Sequence, residues 1–240
     1  MRTNHNPANK LLAGQIIATA FLLLSTVILF ETTNIDLWVQ DFIFNFETNT
    51  WILNRDDQFT KFIFYDGIKK LFIAIILSMI IALIFFKKSK LVQHYQQGLL
   101  IVCLSALTVT FAVSTLKAIT NVPCPKDISR YGGNYPHITV SKHYPSNFQH
   151  TEIKRCYPAG HAAGGFALLS LLFLFKKRQS KAIAFIGVMG ISWSIGAYKM
   201  LIGDHFLSHT AISMILAWLI ILIIAKSVFY FSEKSHCALH

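Results

Sequence analysis

The sequence predicts an all-α polytopic membrane protein with six transmembrane helices and an interfacial amphipathic helix between the first two. Three observations predict it. Long apolar runs recur along the chain, only 14% of residues are charged against 54% apolar, and basic residues concentrate in alternate short loops. A soluble domain carries about a quarter of its residues as charges. Mean hydropathy is +0.50, which also fits a lipid-embedded chain. The formal net charge of +11 does not imply a nucleic-acid partner. The basic residues flank apolar runs and form no stripe on a polar domain.

The first run, Leu11–Phe30, has 20 residues without a charge. A helix needs about 20 apolar residues to cross the hydrocarbon core. The run is longer than a signal-peptide core and no small-x-small cleavage site follows it, so a retained span is expected. The other runs are Leu71–Phe86, Gly98–Leu116, Ala162–Phe175, Ala182–Tyr198 and Phe206–Ala225. The second extends upstream through Ile68, and the fourth must begin near Pro158 to be long enough. One set of alternate loops holds Arg2, Lys10, Lys87, Lys88, Lys90, Lys176, Lys177, Arg178, Lys181, Lys226 and Lys234, with Glu233 as its one acid. Short basic loops stay cytoplasmic. Both termini are therefore expected in the cytoplasm, with the chain multi-pass in a bacterial inner membrane.

The chain reads as one domain over residues 1–240, with two outer segments of note. Residues 31–68 mix aromatic and acidic side chains, as an amphipathic helix lying at the interface does. Residues 117–160 are polar and rich in turn residues, and form the outer loop beside the site. Lys117 ends the third span, Pro158-Ala-Gly-His161 opens the fourth, Lys199 closes the fifth, and Asp204-His205 turns into the sixth. With six spans these ends meet one water layer. Ionisable residues at membrane depth are expensive and usually mark function. Lysine ammonium groups and a helix N-terminus suit a tetrahedral anion. One histidine can take a phosphoryl group while another protonates the leaving oxygen. The i, i+4 pair His205 and His209 could alternatively hold a metal with His161 or Asp204. No Glu follows the first His, and the nearby lysines would repel a cation.

Three fragments carry a resemblance: Lys117-x6-Cys124-Pro125, Pro158-Ala159-Gly160-His161, and Tyr198-Lys199-x5-His205-x3-His209. In this order they resemble Lys-x6-Arg-Pro, Pro-Ser-Gly-His and Ser-Arg-x5-His-x3-Asp of the type 2 phosphatidic acid phosphatase superfamily, the lipid phosphatase branch related to the vanadium haloperoxidases. The resemblance implies that His205 is the nucleophile, through a phosphohistidine, and that His161 protonates the leaving group. It implies that Lys117, Lys199 and the Gly160 N–H hold phosphoryl oxygens. It implies no metal and no cofactor. The substrate would be a lipid phosphate of the phosphatidylglycerol phosphate, polyprenyl diphosphate or lipid A type.

The departures from the family pattern matter. Cys124 removes a cation, for which Arg130 is the expected replacement. His209 stands where a carboxylate orients the nucleophile. Either His209 or a backbone carbonyl takes that role, or a loop carboxylate such as Asp127 does. These losses keep open a non-catalytic lipid-binding or transport protein on the same scaffold. Cys124 and Cys156 flank the outer loop and suggest a disulfide in an oxidising compartment; two separate thiols is the alternative. His137, His143 and His150 are read as facing water.

Overall fold

The computed structural model describes residues 7–149 and 152–237. Arg2, one of the residues used to orient the chain, and His150 lie outside them. Helix α1 spans Pro7–Thr32 and is followed by the short α2, Ile35–Asp41. Strands β1 (Phe44–Asn45) and β2 (Thr50–Trp51) pair as an antiparallel hairpin with Phe44 opposite Trp51. Helix α3, Gln58–Lys61, continues through a π turn at Phe62–Gly67 into α4, Ile68–Phe85. Helix α5 is Lys90–Thr120. After the outer loop come α6 (Gly160–Phe166), a 3-10 turn at Ala167–Ser170 and α7 (Leu171–Leu174). Helices α8 (Arg178–Leu201) and α9 (Leu207–Cys237) complete the fold.

Among the described residues, five helices are long and apolar enough to cross a membrane: Asn9–Thr32, Gln58–Phe85, Lys90–Asp127, Arg178–Leu201 and Leu207–Lys234. The expected fourth span is the shorter apolar stretch Gly160–Leu174. At about 1.5 Å per residue, it falls short of a hydrocarbon core about 30 Å thick. Its start is set by Pro158, which disfavours helix in the residue before it. Ala159 is still extended, with ψ at 96°, and the helix begins at Gly160.

The outer segment 31–68 is not one interfacial helix. Helical structure stops after α2 because local polar chemistry makes a turn. The Asn45 side chain accepts from the Glu47 and Thr48 N–H groups, at 2.9 and 3.2 Å, and Asn49 takes a φ of 58°. Asparagine suits both roles. Helix resumes at Asp57, whose carboxylate caps α3 by accepting from Thr60 N at 2.9 Å.

Helices α1 and α9 pack antiparallel. Asn9 Nδ2 donates to Glu233 Oε2 at 3.3 Å near one end, and Leu23 and Val27 pack on a cluster containing Ile212 toward the other. Gln97 bonds Ser232 and Lys176 meets His94 at the Asn9 end. The central core joins Val109 and Val113 of α5, Ala162, Ala163 and Phe166 of α6, and Ala217 and Ile221 of α9. Large apolar side chains such as Phe21, Phe85, Phe111 and Ile183 point outward, as in a bundle surrounded by lipid. At the far end Phe44, Ile128, Tyr131 and Phe206 form a small second core against Leu37 and Trp51. It seats the outer pieces on the turn between α8 and α9.

Hydrocarbon does not press membrane helices together by a hydrophobic effect, so small residues at their contacts let backbones approach. Gly98 does this on α5. A Cβ there would stand 2.6 Å from Leu174 Cα. Overpacking of this kind costs about 1–3 kcal/mol. Gly98→Leu should therefore lower the thermal unfolding midpoint of the purified protein in detergent. Gly14→Leu, at a position with nothing within 4 Å, should leave it unchanged.

Candidate active site

The site is organised around the turn from Lys199 to Phe206. The Lys199 carbonyl accepts from the N–H of Asp204 at 2.8 Å and of His205 at 3.2 Å. Gly203 makes the bend at a φ of 74°, where a side chain would be strained. A Cβ there would also run into the Trp51 ring. Outer segments fasten the turn. Gln40 Nε2 donates to Met200 O at 2.9 Å, Leu53 N to Leu201 O at 3.3 Å, and Lys126 N to Gly203 O at 3.0 Å. Asp36 Oδ1 accepts from Ser208 N at 2.8 Å, satisfying one of the unpaired donors that open α9.

His205 is 4% exposed. Its Nδ1 lies 3.3 Å from Nδ1 of His209, one helical turn on, and 3.9 Å from Cys156 Sγ. The His209 ring is also bonded to the backbone at Cys156 and packs edge-on to Tyr157 and Phe206. Gly160 and His161 are the first two residues of α6. The Lys117 ammonium lies 3.7 Å from the point where a Gly160 Cβ would stand. The groups whose charges bear on His205 are His209, Lys117, His161 and Lys199. Residues from the ends of α5, α6, α8 and α9 thus meet in one place. Burial, followed by these neighbours, holds the His205 imidazole well below the usual histidine pKa. It is therefore neutral at pH 7.

Asp204 is the counter-charge. Its Oδ1 accepts from Lys126 Nζ at 3.0 Å and from Arg55, and its Oδ2 accepts from Lys199 Nζ at 3.0 Å. Sequence reasoning missed Arg55 and Lys126. Arg55 sits in the segment read as interfacial helix. Lys126 lies two residues past Cys124, which was the available signal.

The expected use of Arg130 is corrected. Its Nε and Nη2 pair both oxygens of Asp41, at 2.8 and 2.7 Å, and Tyr131 Oη shares that carboxylate at 2.9 Å. A bidentate carboxylate fork is among the strongest partners an arginine finds. Asp127 does not reach the histidines either; it accepts from Cys124 N and Lys154 Nζ. His143 is exposed, whereas His137 is half-buried, edge-on to Phe206.

The Cys124 and Cys156 sulfurs lie at bonding distance, with Cα atoms 5.2 Å apart, inside the range disulfides use. Donor atoms of Cys156, His205 and His209 lie within 4.8 Å of one another, all buried. A Cys156 sulfur bonded to Cys124 offers no thiolate, and the surrounding lysines oppose a cation.

A sequence model of the PAP2 superfamily matches residues 98–233. The chain belongs to this superfamily. No curated protein and no solved structure matches it. PAP2 members are phosphatases, and hydrolysis of phosphate esters is the chemistry the membership supports. The PAP2 match contains Lys117, Lys126, Gly160, His161, Lys199, Asp204, His205 and His209. Asp36, Gln40 and Arg55 lie before it.

Burial raises the Asp36 carboxyl to about 6, against the opposing effect of its bonds to Ser208. The folded value exceeds the unfolded one, so the native state retains the proton longer. Its contribution to stability is fully present below the ordinary aspartate value and is lost as pH rises through about 6. The melting midpoint of wild type relative to Asp36→Asn should therefore improve as pH is lowered from 7 toward 4.5. Parallel thermal scans of the two proteins across that range measure it.

Proposed function

We propose that this protein removes, or transfers, the terminal phosphoryl group of a lipid phosphate or diphosphate through a phosphohistidine on His205, at the periplasmic face of a bacterial inner membrane. The observation that carries the lipid reading is a groove of about 770 Å³ between α4 and α5. It is lined by Phe72, Ile76, Leu107 and Phe111, and it ends at Lys117, Gly160 and His161. An apolar chain fits the groove while its phosphate meets the polar end.

Nδ1 of His205 is taken up by His209, which leaves Nε2 as the nitrogen with a free lone pair. His209 thus does the orienting that a carboxylate does in the family pattern. In the first step Nε2 attacks phosphorus, the bond to the leaving oxygen breaks, and His161 gives that oxygen a proton. In the second step water attacks the phosphohistidine, losing a proton to His161, and inorganic phosphate leaves. A lipid alcohol in place of water would make the reaction a transfer. Lys117, Lys199 and the Gly160 N–H neutralise the oxygens in both steps.

The orientation rests on charge and on the bundle's ends. The Asn9–Glu233 contact puts the start of α1 and the end of α9 together, which supports an even number of crossings. In this reading the shorter Gly160–Leu174 joins the five long helices as a sixth element, entering from the outer side without the length to span the core alone. Lys87, Lys88, Lys176 and Lys177 lie toward that shared end, which the positive-inside rule assigns to the cytoplasm. The histidines lie toward the other. A disulfide between Cys124 and Cys156 suits that outer compartment.

Purified protein should release phosphate from at least one of phosphatidylglycerol phosphate, a polyprenyl diphosphate or a lipid A phosphate. His161→Ala should reduce kcat by roughly 10²–10⁴-fold, the usual worth of a general acid, and His205→Ala by at least as much. Equal rates for wild type and His205→Ala would refute the mechanism. Because His205 is already neutral, its protonation should not cost activity near pH 6.5, and kcat/KM should not fall as pH drops from 7.5 to 6; protonation of His161, the general acid, acts in the opposite direction. Thr110→Trp, which fills the groove, should raise KM for long-chain substrates and spare a short water-soluble phosphate ester.

A further inference from the structure

Cys124 leaves the phosphate site one cation short of the family pattern, and Arg130 is engaged elsewhere. Three cations converge instead on the single carboxylate of Asp204: Lys199 from the end of α8, Lys126 from the outer loop, and Arg55 from the segment after the hairpin. Their side chains grow more exposed in that order, at 10%, 32% and 41%. They form a ladder from the buried site to water. Asp204 directly precedes His205, and both backbone N–H groups are fixed on the Lys199 carbonyl. The carboxylate is therefore held in register with the nucleophile.

We infer that Arg55 and Lys126 are phosphate-binding residues that replace the missing motif cation, and that Asp204 is an internal stand-in for the phosphate, released when substrate arrives. This rests on the phosphoryl-transfer reading above. The carboxylate of Asp204 faces three cations, and Asp127, which also acts on Lys126, is paired with Lys154, so the ladder keeps a net positive charge when empty. A phosphoryl group with two negative charges and three oxygens satisfies those donors better than two carboxylate oxygens do. A singly charged ligand gains little by the exchange. The site thus favours a terminal phosphate, from a monoester or a diphosphate, over a phosphodiester. The lysines and Arg55 carry their ligand between them while His205 stays uncharged, so the nucleophile loses nothing to the exchange.

The test is calorimetric titration of purified protein in detergent with orthovanadate, which needs no turnover. Arg55→Gln and Lys126→Met should each weaken binding roughly tenfold, the usual worth of a charge-assisted hydrogen bond. Asp204→Asn should tighten it severalfold, because the competitor is neutralised. A purely structural Asp204 gives the opposite sign: its loss scatters the cations and weakens vanadate, and that result overturns the proposal. Unchanged affinity in both Arg55→Gln and Lys126→Met also overturns it, and these two side chains, on the solvent side of the ladder, keep the test available if Asp204→Asn does not fold. Monodisperse elution and a retained melting midpoint certify each variant. Wild type that releases phosphate and binds vanadate, with none of these shifts, rejects this inference alone. Wild type that does neither rejects the phosphatase reading beneath it.

Discussion

Positive charge gathered at the edge of a low-dielectric layer must find an anion, and this constraint shapes the outer half of the molecule. Lys117, Lys126 and Arg55 all act on Lys199, and Arg55 acts on Lys126. Within the ladder of cations described above, Asp204 is the carboxylate that all three contact. Buried ions that lack a partner are costly. The fold answers by fixing Asp204 through backbone bonds to Lys199 and by drawing Arg55 and Lys126 in from two distant loops. Other carboxylates are spent on architecture. Asp41 holds Arg130, Asp127 holds Lys154, and Asp36 closes the start of α9. Few acids and many bases leave a surplus that a phosphate ester can satisfy.

Much of the bundle was legible because lipid imposes a simple rule on sequence. Backbone groups must be satisfied within helices and side chains must be apolar, so the long runs announced themselves, although polar residues carry α5 and α9 well past the apolar runs Gly98–Leu116 and Phe206–Ala225, to Lys90–Thr120 and Leu207–Cys237. The residues at those ends were legible for the same reason. Lys117, His161, Lys199 and His205 stand out as polar groups where hydrocarbon begins. The exception is the fourth apolar stretch, where Pro158 and the 3-10 turn at Ala167–Ser170 shorten the helix.

The outer cap was not legible, because its organisation is carried by pairings across long separations. Arg55 meets Asp204 across 149 positions and Lys126 meets it across 78. No local pattern encodes either. Arg130 looked suitable because it is close in sequence to Cys124, yet Asp41, 89 positions away, offered it a bidentate fork. The aromatic-rich stretch after α1 suggested a helix by composition. Two asparagines decided otherwise, one through its side-chain acceptor and one through a left-handed backbone.

The boundary of the PAP2 match has a consequence for how such sites are held. Both imidazoles and the lysines of the motifs fall inside residues 98–233, while Gln40, Leu53 and Arg55, which grip the turn beside His205, come from before it. Glu31, at the top of α1, reaches over to clasp Thr139, Val140 and Ser141 of the outer loop. A chimera that grafted only the matched stretch onto a foreign leader would inherit the motif residues without their fastenings. A change at Gln40, Leu53 or Arg55 therefore acts on the turn that carries His205 without altering any residue inside the match.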